Sequence, residues 1–128
     1  MSDTVEYVSP MPFEATVERL STAIAQAGLI LFSRIDHQAG AREAGLAMQP
    51  ATVLSYGHPK GGTPVMLAAP LAALDLPLRV LVRVRDDGQT AIAFHPMAVV
   101  LRGAGVPEAL AGRLDPAQQI LVTALTVS

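Results

Sequence analysis

Tyr56-Gly57-His58-Pro59-Lys60-Gly61-Gly62-Thr63-Pro64 crowds glycine amides, a lysine, a histidine and a hydroxyl into one short stretch. At a turn from strand to helix, such residues could cradle an anion, because unhindered amides, the Lys60 charge and a helix N-terminus would converge. The stretch is not a P-loop, whose lysine and hydroxyl follow the last glycine; here Lys60 precedes Gly61 and Gly62. The plainer alternative is a structural turn in which the glycines supply backbone freedom.

His37 and His58 could serve as metal or haem ligands if the fold brings their two segments together. They lack the helical i, i+4 spacing and a carboxylate-rich companion, so a capping or solvent-facing role competes with ligation. Asp75, in Leu74-Asp75-Leu76-Pro77, could act as a general base if desolvated beside the glycine-rich turn, or simply cap a turn or pair with an arginine. Arg79, Arg83 and Arg85 share one strand face, suited to gripping an anion or to pairing with acidic neighbours in solvent. No Gly-x-Ser-x-Gly elbow surrounds Ser33 or Ser55. The candidate ligand-binding set is therefore His37, Gly57, His58, Lys60, Gly61, Gly62, Thr63 and Asp75.

These residues must be held by a core of alanine, leucine and valine, since 51% of the 128 residues are apolar while tryptophan is absent and aromatics make up 4%. A chain of this length suits one domain spanning residues 1–128. A formal net charge of −2 argues against nucleic acid as a partner, because phosphate binding needs a clustered positive surface. The lack of cysteine removes disulfides, thiolate metal sites and cysteine nucleophiles. The acidic N-terminus has no signal-peptide pattern, and Pro64 and Pro70 interrupt the apolar run Pro64 to Leu74, so a cytoplasmic protein with no membrane span is expected.

Thr4 to Val8 reads as a first strand. Phe13, Val17, Leu20, Ile24 and Ala27 follow at helical spacing, with Gly28 as the stop. Leu29 to Ile35 predicts a buried central strand, and Asp36 is placed to cap a short helix from His37 to Ala44. Ala51 to Tyr56 predicts a third strand, and Thr63-Pro64 predicts the cap and first residue of a helix running to Ala69. Leu78, Val80, Val82 and Val84 alternate with Arg79, Leu81, Arg83 and Arg85, the period of a half-buried strand. Asp86-Asp87-Gly88 then predicts a hairpin to Gln89–Phe94, which Pro96 ends. Two helical pieces, Pro107 to Leu114 and Asp115 to Val127, complete an α+β fold with a mixed or mainly antiparallel sheet of about five strands and helices on one side.

The order and spacing of Phe13 and Thr16, Ile35-Asp36-His37, Tyr56-Gly57-His58-Pro59, Gly62-Thr63-Pro64-Val65-Met66 and Asp75-Leu76-Pro77-Leu78 carry a further signal. From Phe13 to about Met97 the chain resembles the domain-of-unknown-function family 302. Two departures stand out: His58 replaces the family's usual asparagine, and Leu101-Arg102-Gly103 stands where the family has an Arg-His pair. The resemblance implies a compact, self-associating α+β domain.

Three functions fit these residues. The first is a homodimer binding a small ligand or cofactor, such as an anionic metabolite, a metal or haem, at Gly57 to Thr63. The second is a small enzyme on an anionic metabolite, with Lys60 holding charge while His58 or Asp75 moves a proton. The third is a homo-oligomeric interaction module.

Overall fold

A computed structural model of the chain describes residues 3–126. Five strands, β1 (Val5–Val8), β2 (Ile30–Asp36), β3 (Ala51–Gly57), β4 (Leu78–Val84) and β5 (Thr90–Phe94), form one sheet in the order β1-β5-β4-β3-β2. Every pairing is antiparallel. The fold is thus α+β with a five-stranded antiparallel sheet in a single domain.

Period-two alternation decides which face of the sheet is buried. Leu54, Tyr56, Leu78, Val80, Val82 and Ile92 point inward, where Val17, Leu20 and Ile24 of α1 (Phe13–Gln26) meet them. Leu121 and Leu125 of α6 (Asp115–Thr126) close the same core. Burying one such side chain contributes about 1.5–3 kcal/mol, so this shared cluster is the main source of stability. The opposite face carries the arginines. Arg83 pairs with Glu6 at 3.0 Å, and Arg85 pairs with Asp87 at 3.1 Å, which assigns both to the paired outer face.

Polar joints fix the helices. The buried Thr16 hydroxyl donates to the Pro12 carbonyl at 2.9 Å and hydrogen-bonds to the Ser9 hydroxyl at 2.7 Å, tying α1 to the end of β1. Gln118 of α6 accepts from the Met97 amide at 3.0 Å and donates to the His95 carbonyl at 2.9 Å, locking α6 to the chain leaving β5. Asp36 caps α2 (His37–Glu43) as expected, accepting from the Ala39 amide at 2.9 Å.

Several expectations are corrected. β2 is an edge strand, with Phe32 and Ile35 51% and 50% exposed, because among the described residues only β3 pairs with it. The glycine-rich stretch is not a loop ahead of a helix beginning at Pro64: α3 (Pro59–Ala68) starts at Pro59, and His58, not Thr63, is its cap. A 3-10 helix (Pro70–Asp75) and α4 (Met97–Gly103) were not anticipated, and α5 is only Glu108–Ala111. Val127, the expected last helical residue, lies outside the described residues.

Candidate functional site

Register brings several chain segments to one end of the sheet. Gly57 ends β3 opposite Ile30 at the start of β2, and Tyr56 faces Leu78 at the start of β4. The connection from β3 to β4, made of α3 and the 3-10 helix, therefore arches over that end. A cleft of about 1160 Å3 opens beneath it, bordered by Leu29 and Phe32, by Gly57 to Thr63 and Met66, by Leu76 to Leu78, and by Arg113, Leu114, Ala117 and Ile120.

His58 builds the turn at the mouth. Its backbone is extended, and its ring Nδ1 accepts from the Lys60 amide at 3.1 Å, while its carbonyl accepts from the Gly61 and Gly62 amides at 3.0 and 3.1 Å. Asparagine, the usual residue here in the resemblance, would cap in the same way through its side-chain oxygen. These three bonds also consume the amides that were expected to cradle an anion.

Pro64 then shapes the next contact. Proline has no N–H, so it cannot donate to the carbonyl four residues back, that of Lys60. Arg113 supplies the missing donor: Nη2 reaches the Lys60 carbonyl at 3.1 Å, and Nε reaches that of Gly61 at 3.2 Å. Gly61 permits this approach of the C-terminal segment, since a Cβ there would lie 3.3 Å from Leu114 Cδ2.

Tyr56 is the unusual member of the lining. Its side chain is fully buried, and among the described residues its hydroxyl is the one buried side-chain polar atom without a hydrogen-bond partner. Burial pushes the phenol well above the ordinary tyrosine range, because the charged form has no solvent to stabilise it. Native proteins rarely leave such a group unpaired.

Of the sequence-derived candidates, Gly57, His58, Lys60, Gly61, Gly62 and Thr63 border the cleft. His37 and Asp75 do not. Asp36 pairs with Thr52, whereas Gly57 is at the other end of β3, so His37 and His58 lie about 20 Å apart along the sheet. No group of three or more His, Cys, Asp or Glu able to hold a metal occurs among the described residues. Asp75 ends the 3-10 helix outside the cleft lining, and His58 Nδ1 is engaged as a cap, so the two do not form a proton-transfer pair.

Arg113 has no local sequence signature as a site residue, because its partners lie some fifty residues earlier. Tyr56 did carry a signal: it follows Thr52 and Leu54 on the inward side of β3, placing a phenol in an apolar layer.

The model of the domain of unknown function DUF302 matches residues 5–126. The chain belongs to the DUF302 family. This match extends beyond the Phe13 to Met97 region on both sides. The crystal structure of an uncharacterised conserved DUF302 protein from Bacillus stearothermophilus superimposes with a TM-score of 0.85 over 98% of each chain, at 19% identity. That similarity concerns the DUF302 fold alone. A stretch of 66 residues, 52% of this chain, is 41% identical to part of the fluoride-specific ion channel FluC 1 of Brucella suis, and the match to FluC 1 of Brucella abortus has the same length and identity. The matched stretch spans only 26% and 24% of those two proteins. Among the described residues no helix is long and apolar enough to cross a membrane.

Proposed function

We propose that this DUF302 domain binds a small, largely apolar ligand in the cleft beneath α3. Tyr56 carries the reading. Tyr56 borders a mostly apolar cleft, and its buried hydroxyl has no partner within the described residues, a combination of greasy surface and few polar anchors that marks ligand sites. Leaving the hydroxyl unpaired costs about 1–3 kcal/mol, which a polar atom on a bound molecule would recover. Titrating 15N-labelled protein with a long-chain alcohol tests the site: the Gly57, Gly61 and Gly62 amide resonances should shift first and saturate. Shifts confined to other surfaces, or none, would remove the proposal.

β2 supports a second reading, that two copies of the domain associate through this edge. Among the described residues its outer backbone groups have no strand partner, and Ile30, Leu31, Phe32 and Ile35 are exposed along it, a surface that soluble proteins usually cover or charge. Phe32 and Leu29 also border the cleft, so association there would wall it on one side. Light scattering over a range of concentrations tests this, with a dimer expected and a strictly monomeric particle opposing it.

A further inference from the structure

We infer that the ligand is a single-chain amphiphile with an anionic head, its chain in the apolar cleft and its head between Lys60 and Arg113. This rests on the ligand-binding reading above and adds the chemical class. The cleft lining contains His58, Lys60 and Arg113 but no aspartate or glutamate, although acidic residues outnumber basic ones in the chain.

Four arginines elsewhere find carboxylates: Arg34 has Glu14 and Glu18, Arg83 has Glu6, Arg85 has Glu6 and Asp87, and Arg102 has Glu108, while Arg42 and Arg79 have no such pair among the described residues and do not border the cleft. Among the described residues neither Lys60 nor Arg113 has a carboxylate within ion-pair distance. Arg113 is moreover held in place by two backbone carbonyls, which take one N–H from Nε and one from Nη2. Three of the five guanidinium N–H groups remain, enough for a bidentate grip on a carboxylate or phosphate. The α3 amides are consumed within the turn, so these side chains, not the backbone, supply the positive charge.

A mostly apolar trough bordered by two cations with no carboxylate partner among the described residues discriminates by head charge. A neutral chain gains only burial, and a cationic head meets repulsion.

Calorimetric titration with a long-chain fatty carboxylate, the matching alkyl phosphate, alcohol and amine separates the possibilities. The two anions should bind about tenfold or more tightly than the alcohol, with the amine weakest. Lys60→Glu should abolish the preference for anions over the alcohol, and Arg113→Lys, which retains charge but not the fork, should weaken the anions less than Arg113→Gln does. A carboxylate much tighter than the phosphate, or the reverse, identifies the head group. Equal affinity for alcohol and anions, or an anion preference untouched by Lys60→Glu, would overturn the inference while leaving a ligand cleft. Failure of all four compounds to bind would overturn both.

Discussion

Arg113 Nη2 donates to the Lys60 carbonyl at 3.1 Å, filling a place in the helical hydrogen-bond ladder that Pro64 leaves empty. One bond thus joins the C-terminal part of the chain to the mouth of the cleft. It also presents the guanidinium beside Lys60, where an anionic head would need it.

Removing Arg113 should expose that dependence. Arg113→Ala is expected to cost about 1 kcal/mol in urea unfolding, the usual worth of such bonds at a partly solvated site. In a Pro64→Ala background, where an N–H again serves the Lys60 carbonyl, the same change should cost less. The coupling should be about 0.5 kcal/mol or more. Strictly additive effects would show that Pro64 and Arg113 act independently.

His58 should behave as a cap. His58→Ala should destabilise the domain by about 1 kcal/mol, whereas His58→Asn should be close to neutral, because its side-chain oxygen can accept from the Lys60 amide. Denaturant midpoints of the three proteins decide this. An asparagine variant as unstable as the alanine variant would mean that the ring does something other than capping.

Much of this arrangement was legible in the sequence. β4 was clear because Leu78, Val80 and Val82 bury one face, and the hairpin was clear because Gly88 adopts a positive φ of 86° while Asp87 accepts from the Gln89 amide at 3.0 Å. β2 lies at the edge and not at the centre of the sheet, a difference its sequence hides because an apolar run reads alike whether both faces are covered or an edge is left bare. The start of α3 was misplaced for a different reason. His58-Pro59 and Thr63-Pro64 both look like a cap followed by an N1 proline, and the long-range Arg113 bonds that accompany the earlier start have no local signature. The separation of His37 from His58 likewise depends on the β2–β3 register, which single residues do not reveal.

Alkali should weaken the fold through Tyr56. The unfolded phenol ionises near pH 10, about the ordinary tyrosine value, while burial keeps the folded one protonated to higher pH. Above pH ~10 the folded state therefore holds more protons than the unfolded state, and the contribution present below that pH is lost as pH rises. Relative to Tyr56→Phe, the native chain should lose up to about 1.4 kcal/mol per pH unit in this range. Parallel stability curves for the two proteins would contradict the assignment.

Ile35→Lys should disrupt self-association through β2 without unfolding the domain, because Ile35 is half exposed at the sheet edge. Sedimentation velocity should show the native chain as a dimer and the variant as a monomer. A variant that remains dimeric would move the interface away from β2.

The most direct test of the ligand cleft combines stability and binding in Tyr56→Phe. Free of ligand, the variant should unfold at higher denaturant, by about 1 kcal/mol, because an unpaired buried hydroxyl has been removed. With a long-chain alcohol present it should gain less stability than the native protein, since the partner of the ligand's hydroxyl is gone. A variant that is no more stable when free and is stabilised by the alcohol as much as the native protein would contradict the role given to Tyr56.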